Sequence, residues 1–298
     1  PERARARSDA EMDRFENSTH AKNWIFDEAS LSARRAAANA SALNRLSSSE
    51  EGAPSDVTPL SVADEALLRS YYETKLQELC RDEAANDSSR FTDRVLYSAQ
   101  LYFKRFYLGA SAMEEEPKAV MLASLFLAGK VEEERIRIAD LVPKYAKSMQ
   151  PEAFRRLELR LLEALGFQLV VRSPFRCLEG LVQNLHAKLA DSATSPAELE
   201  EVQATCKALT AAATDSICGA LRTDAPLLFT PQQIALAALQ SAAAARPAAG
   251  DAAAPGGGCA VDFEGWVRAS FTSVLAGTLP SSISVAGTGG LGDGGGFS

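Results

Sequence analysis

The chain has 298 residues, 46% apolar and 23% charged, which suits one large domain or two ordinary ones with real cores. Its net charge of −8 argues against a surface built for the phosphates of DNA or of anionic lipid. Five cysteines without a Cys-x-x-Cys pair, and only two histidines, His20 and His186, argue against a zinc framework or a disulfide scaffold. Buried reduced thiols in an intracellular protein are the expectation.

Residues 1–22 are charged and small, so this stretch, with His20 in it, is expected to be mobile. No signal peptide is legible at the start, which is Pro1 rather than Met. Trp24-Ile25-Phe26 is an aromatic island, residues 28–46 read as a helix, and Ser47 to Pro59 is a linker by composition. Val62 to Arg81 carries Leu67, Leu68, Tyr71, Tyr72, Leu76 and Leu79 at a spacing of three to four, which predicts a helix with that face inward. Phe91 to Leu108 predicts a second, capped by Ser88 or Ser89 and ended by Gly109. Within it Tyr102, Phe103, Phe106 and Tyr107 form a wide apolar face, better suited to core packing than to stacking on bases.

Pro117 to Val131 is apolar all round, the mark of a helix surrounded by other helices. A shorter helix is expected over Ile138 to Tyr145. Another is expected over Pro151 to Leu165, with Phe154, Leu157, Leu161 and Leu165 on one face and Gly166 at its end. Further helices are predicted over 174–190, 196–218, 231–245 and 261–275, and Thr230-Pro231-Gln232-Gln233 has the chemistry of a capped start. Residues 246–260 and 276–298 are rich in small residues and read as disordered. The longest uncharged run, Ala225 to Ala245, holds Pro226, Pro231 and three glutamines and is a poor membrane span.

Two stretches repeat. Pro117-x-x-Val120-x-Leu122-Ala123-x-Leu125-x-x-Ala128 returns 114 residues later as Pro231-x-x-Ile234-x-Leu236-Ala237-x-Leu239-x-x-Ala242. One proline-started apolar helix per half predicts two similar bundles. The copies diverge at their ends, where Lys130 answers to Ala244 and Glu132 to Arg246. Lys130 followed by Glu132-Glu133-Glu134 therefore belongs to the first half alone.

A lysine in a last turn favours the helix dipole by ~0.3–1 kcal/mol, and the glutamates after it suit a solvated loop. A second reading brings Glu158, one turn beyond Phe154, beside Lys130. The pair has donors and lone pairs to spare, which could grip the main chain of another protein. Catalysis finds no support: there is no nucleophile–base pair, His186 reads as a partly buried helix residue, and Gly256-Gly257-Gly258 lacks the strand and lysine of a phosphate loop. No enzyme activity, cofactor or metal is expected.

On these residues the sequence resembles the cyclins, and among them the cyclin H group of CDK-activating kinase subunits. The matching stretches are Asn23-Trp-Ile-Phe26, Tyr71 to Cys80, Tyr102-Phe-Lys-Arg-Phe-Tyr-Leu108, Met113 to Glu134, Arg156 to Pro174, and Leu228-Phe-Thr-Pro-Gln-Gln-Ile-Ala-Leu236. The resemblance implies an all-α fold of two tandem cyclin boxes with an N-terminal helix. Its divisions would be 1–54 for the tail, island and helix, 55–172 for the first box, 173–275 for a second box that could lack its fifth helix, and 276–298 for a Gly-rich tail. It implies a nuclear regulatory subunit that activates a cyclin-dependent kinase, with phosphorylation of kinase activation loops and of the RNA polymerase II C-terminal domain. The implied partners are the kinase catalytic subunit, a RING-finger assembly factor and TFIIH, with no direct nucleic acid and no membrane. Lys130, Glu133, Glu158 and Phe167 match the family's kinase-binding positions. Cyclin C-like Mediator cyclins and TFIIB-like DNA-binding factors are the alternatives. One departure concerns an ion pair: many cell-cycle cyclins set an aspartate before the second-helix arginine against a first-helix arginine. Lys104 stands in the aspartate's place, so that pair is not expected, and Arg69 is aligned to the first-helix position.

Overall fold

A computed structural model describes residues 14–48, 58–81, 91–134, 136, 151–245, 263 and 265–267. Among these residues the fold is all α, with no strand. The helices are α1 (Thr19–Trp24), α2 (Glu28–Ser48), α3 (Val62–Arg81), α4 (Asp93–Phe106), α5 (Pro117–Val131), α6 (Pro151–Ala164), α7 (Pro174–Ser192), α8 (Pro196–Leu221), α9 (Ala225–Leu228) and α10 (Pro231–Ala244).

Local chemistry sets their starts. The side chains of Thr92, Ser173, Ser195 and Thr230 each accept a backbone N–H from the first turn of α4, α7, α8 and α10. At Thr230 the cap is reciprocal, since Gln233 Oε1 accepts the Thr230 N–H at 2.9 Å. Proline opens α5, α7, α8 and α10, where its missing N–H costs nothing. The predicted caps Ser88 and Ser89 lie outside the described residues, as do 138–145, 246–260 and 276–298.

Helices α3, α4 and α6 pack around α5, while α7, α8 and α10 pack on one another. One contiguous apolar core runs through both groups. Helix α5 is buried on every side from Ala119 to Gly129, as its composition predicts. Its sequence counterpart α10 starts in the same way but buries Pro231, Ile234, Ala235, Ala238, Leu239 and Ala242 and exposes Gln233, Ala237 and Gln240. Most of the predicted 261–275 helix is outside the described residues. Within it Phe263 and Trp266 are buried against the core, and Trp266 Nε1 donates to Asn184 Oδ1 of α7 at 3.0 Å.

Two expectations are corrected. The stretch before Trp24 is built in from residue 14: α1 is helical and the His20 side chain is fully buried. Ser18 starts that helix by accepting the Ala21 N–H, and Phe15 packs edge-on against the imidazole at 5.2 Å. The second correction is the face of α3. Leu67 and Tyr71 are exposed, and the buried stripe is Glu65, Arg69, Glu73 and Gln77, one residue per turn, beside Leu76 and Cys80. In place of the aspartate–arginine pair, an ion pair with exchanged charges joins the first two box helices. Lys104 Nζ on α4 lies 2.6 Å from Glu73 Oε2 on α3. Arg69 instead meets Glu65 on its own helix, Nη1 to Oε2 at 3.6 Å.

The polar stripe is tolerable because nearly every group on it is met. Glu65 accepts from Ser111 Oγ and, at 2.9 Å, from the Ala112 N–H. Gln77 Nε2 donates to the Cys218 carbonyl at 2.7 Å, reaching the second group of helices. Arg35 of α2 forks onto both carboxylate oxygens of Asp224, at 2.7 and 2.5 Å. The second group is thus tied to the N-terminal helices by an ion pair and to the first group by a hydrogen bond, as well as through apolar contact.

Candidate functional site

The C-terminal end of α5 is a Schellman turn. The Glu134 N–H reaches the Gly129 carbonyl at 2.8 Å and the Glu133 N–H reaches the Lys130 carbonyl at 3.4 Å, with Glu133 in the left-handed region at φ +60°. Glycine ordinarily takes that position. Here glycine is needed four residues earlier: a Cβ on Gly129 would stand 2.4 Å from Ile136 Cδ1. The close return of the chain over α5 therefore depends on Gly129, which the sequence reading did not single out. Its counterpart in the repeat is Ala243.

Two of the three glutamates are structural. Glu132 Oε1 accepts from Ser98 Oγ at 2.7 Å. Glu134 accepts from the Thr92 hydroxyl and lies at the start of α4, where the positive end of that helix favours a carboxylate. The acidic run is thus a strap from the end of α5 to α4, which the reading as a solvated loop missed. Glu133 is the exposed member.

Lys130 and Glu158 come together as the helical spacing predicts. Lys130 Nζ lies 2.5 Å from Glu158 Oε1, and the ammonium stands 4.3 Å from the centre of the Phe126 ring. Phe126 is held edge-on by Phe154, with ring centres 5.7 Å apart, so the pair and its apolar base come from the same two helices. The Lys130 side chain is 51% exposed and that of Glu158 13%. An ion pair so open to water contributes only ~0–1 kcal/mol to folding. Each buried leucine of α5 contributes ~1.5–3 kcal/mol, so the core does not need the pair. What the pair offers is unsaturated charge: an ammonium with two further protons and a carboxylate with further lone pairs, held rigidly at a helix end.

Phe167 follows the end of α6. The residue is 64% exposed, and its backbone is left-handed at φ +57° directly after Gly166 at +56°. The four predicted site residues thus lie on α5, on α6 and in the turns that close them.

His20 and the described cysteines are buried or half-buried. Burial, with Arg105 and Arg172 nearby, lowers the His20 pKa to about 3. Cys80, Cys206 and Cys218 are buried thiols and Cys177 is a half-buried one, and burial raises the pKa of Cys218 to about 11. Among the described residues no three His, Cys, Asp or Glu side chains are grouped to hold a metal ion. No described helix is long and apolar enough to cross a membrane.

This arrangement of two helical groups has relatives. The Cyclin, N-terminal domain profile matches residues 84–170 and the Cyclin C-terminal domain profile matches 173–248. Cyclin-H1-1 of Arabidopsis thaliana is 32% identical over 76% of this chain and 70% of its own length. The chain belongs to the cyclin family. Cyclin-H of Xenopus laevis is also 32% identical, over 77% of this cyclin and 68% of its own length. A solved CAK complex from Chaetomium thermophilum, bound to ATP-gamma-S, contains a chain that superposes with a TM-score of 0.66. That chain is 27% identical, with 89% of this cyclin and 73% of it covered.

Proposed function

We propose that this cyclin is the regulatory, non-catalytic subunit of a CDK-activating kinase associated with TFIIH, and that it grips its kinase through Lys130 and Glu158, with Glu133 and Phe167 on the same surface. The observation that carries the reading is the Lys130–Glu158 pair, 2.5 Å long, with its ammonium half open to water, and unnecessary to the core. The identity to cyclin-H proteins over three quarters of the chain supports the choice of kinase class.

In a kinase without its cyclin the C-helix glutamate does not meet the β-strand lysine that orders the phosphates of ATP. A rigid ammonium–carboxylate pair can meet the carbonyls and N–H groups of that C-helix region and hold it inward. This is a population shift, and its size equals the difference in affinity for the active and inactive kinase conformers. The products would be phosphorylated kinase activation loops and phosphorylated RNA polymerase II C-terminal repeats. A RING-finger assembly factor and TFIIH complete the partners, and the nucleus is the setting.

The test is reconstitution with a cyclin-free catalytic subunit, reading both co-purification and phosphorylation of an activation-loop peptide and a C-terminal-repeat peptide. Wild-type cyclin should retain the kinase and raise its activity, and Lys130→Ala and Glu158→Ala should release it. Retention at full strength by both variants sinks the gripping role. Retention of a Mediator kinase in place of a CDK-activating kinase moves the protein to the cyclin C-like class.

A further inference from the structure

Phe167 stands in a backbone conformation that phenylalanine rarely adopts. The last turn of α6 closes with the Gly166 N–H on the Glu163 carbonyl at 2.9 Å and the Phe167 N–H on the Leu162 carbonyl at 3.0 Å. Gly166 enters the left-handed region at little cost, but Phe167 follows it there at φ +57°. With the residue 64% exposed, its own packing does not explain the conformation.

The hold comes from the residues just after it. Gln168 Oε1 accepts two hydrogen bonds from the N-terminal segment, one from Asn23 Nδ2 at 2.9 Å and one from Trp24 Nε1 at 2.8 Å. The Gln168 carbonyl accepts from Arg105 Nη1 at 3.3 Å, and the Leu169 carbonyl accepts from Tyr102 Oη at 2.6 Å. Trp24 lies against the Arg105 guanidinium, 4.6 Å from ring centre to Cζ. Gln168 and Leu169 are thus tied inward while Phe167 and Val170, 64% and 68% exposed, face out.

We infer that Asn23 and Trp24 are positioning residues for kinase binding, acting through Gln168 to hold Phe167 in its left-handed turn. The inference rests on the activator reading above and gives the N-terminal helix a role without direct contact with the kinase.

A double-mutant cycle against the full-length, cyclin-free kinase tests it. Trp24→Phe keeps a ring against Arg105 and removes only the indole donor. Combined with Asn23→Ala it should weaken kinase affinity by about tenfold, the worth of two hydrogen bonds. Gln168→Ala, which removes the same bonds from the other side, should match it. In a Phe167→Ala background the N-terminal substitutions should change affinity by less than about twofold, because the side chain they position is gone. A role in folding alone would leave their effect intact in that background, and this additive result overturns the inference. So does unchanged affinity in the Trp24→Phe, Asn23→Ala variant. If Lys130→Ala still releases the kinase while the cycle is additive, the activator reading stands and the N-terminal inference alone fails. If the wild type binds no kinase, both fail.

Discussion

Lys104 reaches across from α4 to Glu73 on α3, Nζ to Oε2 at 2.6 Å, with 1% and 6% of the two side chains exposed. The contact is an ion pair rather than an aligned hydrogen bond. Burial pushes the Glu73 carboxyl upward, and the ammonium of Lys104 works against that shift. Removing one member strands a charge where water cannot reach it. Glu73→Ala or Lys104→Ala should each cost about 3–5 kcal/mol of unfolding free energy. The double variant Glu73→Leu, Lys104→Met should recover most of that loss, because a dehydrated pair gains little over apolar residues of similar volume. Urea denaturation of the four proteins measures both effects. A double variant no more stable than the singles would contradict this account.

That pair also marks where sequence reading stopped. Helix α5 was legible because Ser124 is the only polar residue between Lys118 and Lys130, and the starts of α5 and α10 were legible because proline and the Thr230–Gln233 box are local signals. Lys130 and Glu158 were legible through helical spacing and the resemblance to cyclins. The buried face of α3 was not. Glu65, Arg69, Glu73 and Gln77 recur every four residues, which reads as a solvated stripe, while Leu67 and Tyr71 read as core. Which stripe faces inward depends on polar partners supplied by Lys104, Ser111 and the second group of helices, all distant in sequence. Glu132 and Glu134 misled for the same reason, since their donors Ser98 and Thr92 lie over thirty residues away. His20 looked like tail because no local pattern announces that Arg172 will donate its N–H to the imidazole.

Gly129 should tolerate no side chain. A Cβ there would lie 2.4 and 2.6 Å from Ile136 Cδ1 and Cγ1 and 3.2 Å from the Glu134 carbonyl oxygen. Gly129→Ala should therefore cost ~1–3 kcal/mol, as overpacking does. It should also loosen the turn that presents Lys130. Gly180, exposed on α7 with nothing within 4 Å of its Cβ position, is the contrast. Gly180→Ala should stabilise the protein by ~0.5–1 kcal/mol. Thermal or urea unfolding separates the two signs directly.

His20 should make the N-terminal segment acid-sensitive. Its Nδ1 accepts the Arg172 N–H at 3.2 Å, so the ring is held as the neutral Nε2–H form. Burial and the two arginines lower its pKa from 6.5 to about 3. The folded ring refuses a proton that the unfolded chain accepts below pH ~6.5. Its contribution is complete above that pH and falls as pH drops toward 3, by up to ~1.4 kcal/mol per unit. His20→Asn retains an acceptor but does not titrate, so its stability curve between pH 6.5 and 4 should be shallower by that slope. Carboxylates titrate alike in both proteins, and the difference between the curves isolates the imidazole. Identical slopes would contradict the burial of a neutral His20.

Lys130→Ala and Glu158→Ala should separate binding from folding. The ammonium is half open to water, which screens the pair, so in the free cyclin Lys130→Ala should change unfolding free energy by no more than ~1 kcal/mol, and Glu158→Ala, at a carboxylate 13% exposed, by little more. In the kinase complex the same groups lose their water, and removing one leaves the other charged and unmet, at a cost of ~2–5 kcal/mol in affinity. The ratio of these two effects is the informative quantity. Titration calorimetry with the catalytic subunit and urea unfolding of the free cyclin would give both. Similar losses in the two measurements would make the pair a folding element, and loss in neither would make it a solvated helix end. Only a large loss in binding beside a small loss in stability fits a half-exposed ammonium and its largely buried carboxylate at the end of a helix that does not need them.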